Sequence, residues 1–236
     1  MNGMSVIILE AIHKNYQAYG KTVPALRGID LTVETGEFAA IAGPSGSGKT
    51  TLLNIIGGLD CPTSGNVRIG DILLNELKPK QTAELRLHKI GFVFQAYNLI
   101  PVLSALENVE YILMLQGISG KDRQARSAHV LKEVGLENEM GRRPHELSGG
   151  QQQRVAVARA IVSEPDIVLA DEPTANLDQK TGAHLLDMMH ALNRKKQITF
   201  LFSTHDPMVM ERSDRLINMI DGQIVSDVRK SADNRE

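Results

Sequence analysis

The sequence is short of the residues that mark secreted, membrane-spanning or nucleic-acid-binding chains. Its one cysteine, Cys61, cannot form an internal disulfide and is interpreted as an ordinary small residue in a turn before Pro62. No run of about eighteen apolar residues occurs. A signal peptide begins with basic residues, whereas no Lys or Arg precedes Lys14 in this sequence. The formal net charge of -2, without a dense basic stripe, argues against nucleic acid as a main partner. We therefore expect a globular protein that neither spans nor crosses a membrane by itself.

One glycine-rich stretch indicates the chemistry. Residues 43–50 fit the phosphate-binding pattern G-x-x-x-x-G-K-[ST] and follow the apolar run 38–42. Glycines let backbone N–H groups face phosphate oxygens, the helix beginning near Lys49 directs its positive end at them, Lys49 adds a cation, and the Thr50 hydroxyl can hold Mg²⁺. The alternative is a plain turn between a strand and a helix. The helical setting that the motif requires is present, and it favours nucleotide binding: Leu52, Leu53, Ile55, Ile56.

The remaining patterns predict an α/β domain over residues 1–236. We expect half-buried antiparallel strands at 6–10 and 28–34 beside the phosphate loop, further strands at 66–69, 72–74 and 90–94, and a mostly helical insertion over about 95–161. Ser104 and Glu107 form a capping box at a helix start. From 166 onward, β-α-β alternation predicts a parallel sheet with its ligand site beyond the carboxyl edge. Residues 229–236 contain no apolar side chain larger than that of Ala232, so we expect a disordered tail.

Polar residues follow the buried strands of this predicted sheet. Asp171 can orient Mg²⁺ through its water shell, and Glu172 can polarise a water that attacks the γ-phosphate. The alternative is a solvated strand end. Gln95 could reach the metal or the attacking water, and His205 could donate to the γ-phosphate. Each of these two alone is a weak indication, because a single polar residue often caps a strand.

Two other features point to the nucleotide. Tyr16 and Tyr19 flank a predicted polar turn, where an aromatic ring could stack on adenine or could equally cap the edge of a core. Residues 147–151, Leu-Ser-Gly-Gly-Gln, open another helix with a hydroxyl and free backbone N–H groups. A chain with one nucleotide should not need two such loops, so the second one is expected to serve a nucleotide held by another molecule. The inference is a dimer.

In this order the motifs resemble those of the nucleotide-binding subunits of ATP-binding-cassette (ABC) transporters, over about residues 6–226. The resemblance implies a RecA-like P-loop NTPase core, an antiparallel β subdomain and an inserted α-helical subdomain. It also implies a head-to-tail homodimer with two ATP molecules, and Mg²⁺, at the interface. Residues 43–50 would be the Walker A loop, 147–151 the signature, 167–171 the Walker B strand and 175–178 the D-loop. Asn176 stands in the D-loop where Ser or Gly is commoner, and little consequence is expected.

The resemblance assigns roles residue by residue. It implies Glu172 as catalytic base, with His205 as the switch histidine and Gln95 as the Q-loop glutamine. Mg²⁺ would be held by Thr50, Gln95 and Asp171. ATP would be bound by Tyr16, Gly43, Pro44, Ser45, Gly46, Ser47, Gly48, Lys49, Thr50, Thr51 and Asp171. From the second copy would come the signature residues Ser148, Gly149, Gly150 and Gln151, with Asp178 of the D-loop nearby.

Finer similarity, in residues 44–50, 91–95, 98–101 and 147–154, is to the branch that serves lipoprotein release, macrolide-type efflux and the cell-division permease. It implies an ATPase, peripheral on the cytoplasmic face of the inner membrane, that powers an integral-membrane permease of the FtsX or macrolide-exporter type. A soluble cassette acting on ribosomes or DNA is the alternative, but those carry paired cassettes or large inserts. A small-molecule kinase would leave the signature and D-loop unexplained.

A groove beside Gln95, lined by segment 96–109, is where the resemblance implies that the permease docks. The segment carries an apolar cluster broken by Pro101: Tyr97, Leu99, Ile100, Val102 and Leu103. The other interpretation is that these side chains pack internally in the helical lobe, because only a contiguous exposed patch marks an interface.

Overall fold

The computed structural model describes residues 4–18 and 20–230. An antiparallel sheet of four strands forms one side of it, from β1 (Ser5–Ala18), β2 (Lys21–Glu34), β4 (Ser64–Ile69) and β5 (Ile72–Leu73), in the order β2-β1-β4-β5. Every one of these strands was expected, but the first two are longer than the predicted 6–10 and 28–34. The alternation of apolar residues in the sequence marks only the halves of β1 and β2 that pack against the core. Their other halves pair with each other and are mostly exposed, so they show no such alternation.

The second sheet has six strands in the order β10-β9-β3-β8-β7-β6. They are β3 (Phe38–Ala42), β6 (Ile90–Val93), β7 (Ile167–Asp171), β8 (Thr199–Thr204), β9 (Arg215–Ile220) and β10 (Gln223–Arg229). The first five in chain order pair in parallel, and β10 pairs antiparallel with β9. All five residues of β3 are buried, as in a strand covered on both faces. Parallel pairing brings the carboxyl ends of β3, β6, β7 and β8 to one edge.

Seven helices of the described residues surround this sheet: α1 (Lys49–Ile56), α2 (Pro79–Lys89), α3 (Ala105–Leu115), α4 (Gly120–Glu133), α5 (Gly149–Ile161), α6 (Gln179–Lys196) and α7 (Pro207–Arg212). Alternate residues of β3 divide the core in two. Phe38 packs in a cluster with Phe200, Phe202 and the inner faces of α3 to α6, whereas Ile41 packs in a cluster with α1 and the antiparallel sheet. The two faces of the sheet are therefore both covered by core.

Within the predicted insertion 95–161 lie α3, α4, a short 3-10 helix (Pro144–Glu146) and α5. The capping box at Ser104 is confirmed, with Glu107 N–H donating to the Ser104 hydroxyl at 3.2 Å and Ser104 N–H donating to the Glu107 carboxylate at 2.7 Å. The C-terminal part of α5 packs closely on the sheet, where a Cβ added at Gly91 would lie 2.2 Å from the Ala160 carbonyl oxygen. The division of the chain into a core and a helical lobe stays a prediction.

The first two residues of the predicted disordered tail, Arg229 and Lys230, are ordered parts of the fold. Arg229 closes β10 and pairs with Glu34 at 3.4 Å and Glu37 at 2.7 Å, and Lys230 donates to the carbonyls of Met210 and Glu211. These two residues belong to the fold because their charged ends find partners, which a count of apolar residues cannot reveal. The remainder of the expected tail, 231–236, lies outside the described residues.

Candidate nucleotide-binding site

The predicted phosphate loop connects β3 to α1, and its glycines are required by close packing. A Cβ at Gly43 would lie 2.1 Å from the Met219 carbonyl oxygen, and one at Gly48 would lie 2.6 Å from that of Ala25. No other residue fits at either position without moving the backbone. Lys49 is the first helical residue, as predicted, and is 8% exposed. Its ammonium donates to the carbonyls of Gly43 at 2.8 Å and Pro44 at 2.9 Å, so the cation lies over the loop.

An open cavity of about 560 Å³ lies above this loop at the carboxyl edge of the sheet. It is lined by residues of the loop and of the first turn of α1, together with Gln95, Glu172 and His205. The fold therefore brings together three polar residues that the sequence places 33 or more positions apart. Ala25 of β2 also lines the cavity and was not foreseen, because nothing in its type suggests a ligand. Gly43 and Ser47 do not line the cavity, and Ser47 is buried, with 2% of it exposed.

Thr50 lines the cavity and contacts Asp171, which does not itself line it. The Thr50 hydroxyl lies 3.1 Å from each carboxylate oxygen of Asp171, which is the last residue of β7. Over the described residues no three His, Cys, Asp or Glu side chains are grouped closely enough to hold a metal by themselves. Hydroxyl and carboxylate oxygens fit Mg²⁺, which is usually bound through one or two carboxylates together with substrate phosphates and water.

Glu172 follows immediately and has a left-handed backbone, with φ of 46°. Its N–H donates to the Ser203 carbonyl at 2.9 Å, which fixes this unusual turn against β8. The carboxylate is held at both oxygens: His205 Nδ1 lies 2.6 Å from Oε1, and the Thr204 hydroxyl donates to Oε2 at 3.3 Å. Thr204 was missed from the sequence, although its position directly before His205 was a signal that could have been used.

The polar turn predicted between Tyr16 and Tyr19 does not begin at residue 17, because β1 continues to Ala18, and Tyr16 lies inside that strand, paired with Val23 of β2. Tyr19 lies outside the described residues. The Tyr16 ring stands beside the cavity rather than in its wall, and it is 40% exposed. Burial, followed by a hydrogen bond to Asp60, raises the pKa of Tyr16, whereas a hydrogen bond with Thr51 lowers it. Because Thr51 lines the cavity, the ring borders the phosphate loop at its outer end.

The glycine loop at 147–151 does not line this cavity. Ser148 caps α5, its hydroxyl accepting from Gln151 N–H at 3.3 Å, and its own N–H donates to the Gln151 side chain at 2.9 Å. The two glycines also serve packing. A Cβ at Gly149 would lie 2.8 Å from the Tyr97 hydroxyl, and one at Gly150 would lie 2.4 Å from Thr181 of α6.

The segment 175–178 leads into α6 and joins two parts of the predicted site. Asp178 caps the helix, accepting from the Thr181 N–H at 3.0 Å and hydroxyl at 2.6 Å, and these hydrogen bonds lower its pKa. Asn176 donates from its side chain to the carbonyl oxygen of Gln95 at 2.9 Å. Asn176 therefore holds the main chain at Gln95, although little consequence was expected from asparagine at this position.

A second cavity, of about 610 Å³, lies between α2, α3, β6 and α5. Its walls are largely apolar and include Phe92, Phe94, Ile100, Tyr111 and Leu115. Of the predicted apolar cluster, only Ile100 lines it. Leu99 packs against the core, and Val102 is 73% exposed. This cavity is therefore built mainly by α2 and α3, and from the segment 96–109 it is lined by Asn98, Ile100 and Asn108.

Comparison with known proteins agrees with this geometry. The family model described as ABC transporter matches residues 26–175. The lipoprotein-releasing system ATP-binding protein LolD of Anaeromyxobacter dehalogenans is 47% identical over 93% of this chain and 92% of the relative. The macrolide export ATP-binding/permease protein MacB of Rhodopseudomonas palustris is 45% identical over 94% of this chain but only 34% of the relative.

Among solved structures, the chain is similar to the ATP-binding cassette MJ0796 of Methanocaldococcus jannaschii, in a dimeric, post-hydrolysis state bound to ADP and Pi. The TM-score is 0.88 at 43% identity, covering 94% of this chain and 98% of that one.

Proposed function

The chain belongs to the ABC transporter family and is an ATP hydrolase, and we propose that its ATP hydrolysis drives a separate integral-membrane permease of the FtsX or macrolide-exporter type. The family resemblance and the fold class predicted from the sequence are confirmed. No helix in the part of the chain that the structure describes is long and apolar enough to cross a membrane. A peripheral position on the cytoplasmic face of the inner membrane, bound through the permease, fits this arrangement.

One observation carries the assignment of the chemistry: the phosphate loop, Gln95, Glu172 and His205 line a single cavity at the carboxyl edge of a parallel sheet. We assign the phosphates of ATP to the loop N–H groups and to Lys49. The Lys49 ammonium has three N–H donors, and two of them donate to loop carbonyls. When ATP binds, these donors can turn from the carbonyls to phosphate oxygens. Adenine is assigned to the face of Tyr16.

Glu172 is proposed as the base that accepts a proton from the attacking water. Its contact with His205 fixes the Nδ1–H tautomer, because a carboxylate oxygen can only accept. Nε2 of His205 then faces the phosphate side, and it can donate to a phosphate oxygen only in the imidazolium form, in which both ring nitrogens carry a proton. Thr50, Gln95 and Asp171 would hold Mg²⁺, which neutralises phosphate charge when bound. The hydrogen bond between Thr50 and Asp171 holds the hydroxyl and the carboxylate next to each other beside the loop.

Two copies of the chain are needed in this proposal. Within one chain the residues Ser148, Gly149, Gly150 and Gln151 lie at the start of α5 and do not line the phosphate cavity. In a head-to-tail homodimer the same residues would close the cavity of the partner around ATP, and Asp178 would lie at that boundary. The dimeric state of the similar cassette MJ0796 supports this arrangement.

The permease is assigned to the groove of about 610 Å³. This groove combines apolar walls with a floor formed by β6 and α5, so a partner seated in it would contact the strand that leads to Gln95 and the helix that begins at Ser148. Nucleotide state would then pass to the permease as a rigid-body movement of these elements.

Co-purification tests the proposal. The tagged chain, extracted with mild detergent from native membranes, should carry an integral-membrane protein with it, and that complex should hydrolyse ATP. A Lys49→Ala chain should still capture the same membrane protein but hydrolyse no ATP, because the groove is separate from the phosphate loop. Recovery of ribosomes or nucleic acid instead of a membrane protein would overturn the proposal in favour of the alternative function.

A further inference from the structure

The hydroxyl of Tyr16 is tied to a carboxylate from a different part of the chain. It donates to Asp60 Oδ2 at 2.8 Å. Tyr16 belongs to β1, whereas Asp60 lies in the loop that follows α1, four residues after Ile56. The contact therefore links the aromatic ring at the outer end of the cavity to the helix that begins with the phosphate loop.

The same carboxylate is fixed by two further donors. Asp60 Oδ1 accepts from the Lys14 ammonium at 2.6 Å and from the Cys61 N–H at 2.7 Å. Lys14 also donates to the Cys61 carbonyl at 2.7 Å, and its Nζ stands over the Tyr16 ring, 4.9 Å from the ring centroid. The cation therefore occupies one face of the ring and leaves the opposite face for a flat ligand.

The charges of the cluster agree with these roles. Burial of Asp60 acts to raise its pKa, but the hydrogen bonds from Lys14 and Tyr16 outweigh it, so the pKa is lowered and the carboxylate is ionised at neutral pH. Burial and the hydrogen bond to Asp60 raise the pKa of Tyr16, so its hydroxyl keeps the proton that it donates. The contact persists wherever ATP hydrolysis would be measured.

We propose that Asp60 is a positioning residue for the nucleobase: it fixes the Tyr16 ring in the orientation at which adenine stacks. A free tyrosine side chain in an exposed strand would rotate about two torsions and would lose that freedom when a base binds. A ring that is already fixed binds the base without this cost. The inference rests on the proposed function, because it takes Tyr16 as the adenine platform.

Two ligands separate a positioning role from a structural one. ATP has a base and inorganic triphosphate has none, and both can be titrated calorimetrically in EDTA to prevent turnover. Asp60→Ala should weaken ATP binding by about three- to tenfold, the range for an aromatic contact. Triphosphate affinity should stay within twofold. Asp71→Ala is the matched control, an exposed aspartate in the turn between β4 and β5, and it should change neither ligand.

A double-mutant cycle tests the contact itself. Tyr16→Phe keeps the ring and removes only the hydroxyl, so it should weaken ATP binding as Asp60→Ala does, and the double variant should be no weaker than either single variant. Asp60→Asn keeps an acceptor for the hydroxyl and should retain most of the affinity. If Asp60→Ala does not fold, Tyr16→Phe and Asp60→Asn still give the comparison.

The proposal is overturned if both the Asp60 and the Tyr16→Phe variants bind ATP as the wild type does, if ATP and triphosphate weaken equally, or if the two substitutions are additive. Two further variants show whether the positioning role alone or the proposed function has failed. Tyr16→Ala with an unchanged ratio of ATP to triphosphate affinity would overturn the positioning role and leave the ATPase intact. Lys49→Ala that binds triphosphate normally would instead show that the phosphate site of the proposed function is wrong, and the positioning role would fall with it.

Discussion

The Nδ1 atom of His205 lies 2.6 Å from carboxylate Oε1 of Glu172. The two residues follow neighbouring strands, β8 and β7, which pair in parallel with Asp171 opposite Ser203. The sheet register therefore places the proposed base and the switch histidine together. Side-chain exposure is 15% for Glu172 and 70% for His205, so the buried carboxylate is oriented by a partner that remains open to ligand.

Glu172→Gln should leave ATP binding intact and lower kcat by about 10² to 10⁴, because the amide cannot accept a proton from water while the phosphate loop is unchanged. Steady-state ATPase assays and equilibrium binding of ATP measure the two effects on the same preparation. Glu76→Gln, an exposed glutamate in the short 3-10 helix 74–76, is the control and should hydrolyse ATP normally. Wild-type turnover by the Glu172 variant would remove this residue from the role of base.

Asn176→Ser should lower kcat by about two- to tenfold with little change in KM for ATP. The Asn176 side chain donates to the Gln95 carbonyl, and serine, the commoner residue of the family, is too short to reach it. Gln95 would then be held less firmly beside the cavity. Asn66→Ser removes a comparable exposed hydrogen bond, from Asn66 to Glu10 at 3.2 Å, and should have no effect on kcat. Equal kcat for the wild type and the Asn176 variant would restore the original expectation.

Ile100→Asp should abolish binding of the co-purified permease while the melting temperature stays within a few degrees, because the side chain lines the groove rather than the core. Val102→Asp is the matched control two residues away. That side chain is 73% exposed and does not line the groove, so binding should persist. Leu99→Asp should instead destabilise the fold, since Leu99 packs against the core cluster. Permease binding that survives in the folded Ile100 variant would place the docking surface elsewhere.

Asp227→Asn should reduce stability at neutral pH and flatten its fall in acid. Hydrogen bonds from Arg215, at 2.6 and 2.8 Å, lower the pKa of Asp227 in the folded protein. A folded pKa below the unfolded one gives stabilisation that is present above the unfolded value of about 3.9 and is lost as the pH falls through the folded value. The difference in unfolding free energy between wild type and variant should therefore shrink below that pH.

Urea unfolding at pH 7 and in the acid range measures this difference. Asp221→Asn, in the exposed turn between β9 and β10, should leave the pH profile of the wild type unchanged. Arg215→Met should be more damaging, by about 3 kcal/mol, because it removes the cation hydrogen-bonded to Asp227 and leaves the largely buried Glu37 paired with Arg229 alone. A pH-independent difference for Asp227→Asn would mean that the ion pair contributes nothing to stability.

The sequence predicts several residues that line the cavity more accurately than it predicts the elements around them. Only glycine fits at Gly43, and phosphate binding calls for the cation of Lys49, so the residue types themselves predict the loop. Helix α2 was missed because Leu85 is its only buried residue, and no apolar period is left to detect. Strand β9 begins at Arg215, which is 6% exposed because its charge is paired, and charged residues do not indicate a buried strand.

Contacts between distant residues account for the rest. Tyr16 was expected to border a turn, yet β1 continues past it because its far half pairs with β2. The groove was assigned to one segment from its apolar content, but its second wall is α2, which only the fold brings there. Asn176 gains its contact with Gln95 from a loop 81 residues away in sequence.

The most direct test of the composite site is to mix two inactive chains. Lys49→Ala removes the phosphate cation and Ser148→Arg blocks the signature, so homodimers of either should be inactive. A 1:1 mixture should recover about a quarter of the wild-type active sites, since half of the dimers are mixed and each holds one intact pair of loops. Single-turnover hydrolysis, with heterodimers counted by native mass spectrometry, gives this fraction. Heterodimers that form in the expected amount and hydrolyse no ATP would contradict a site shared between two copies.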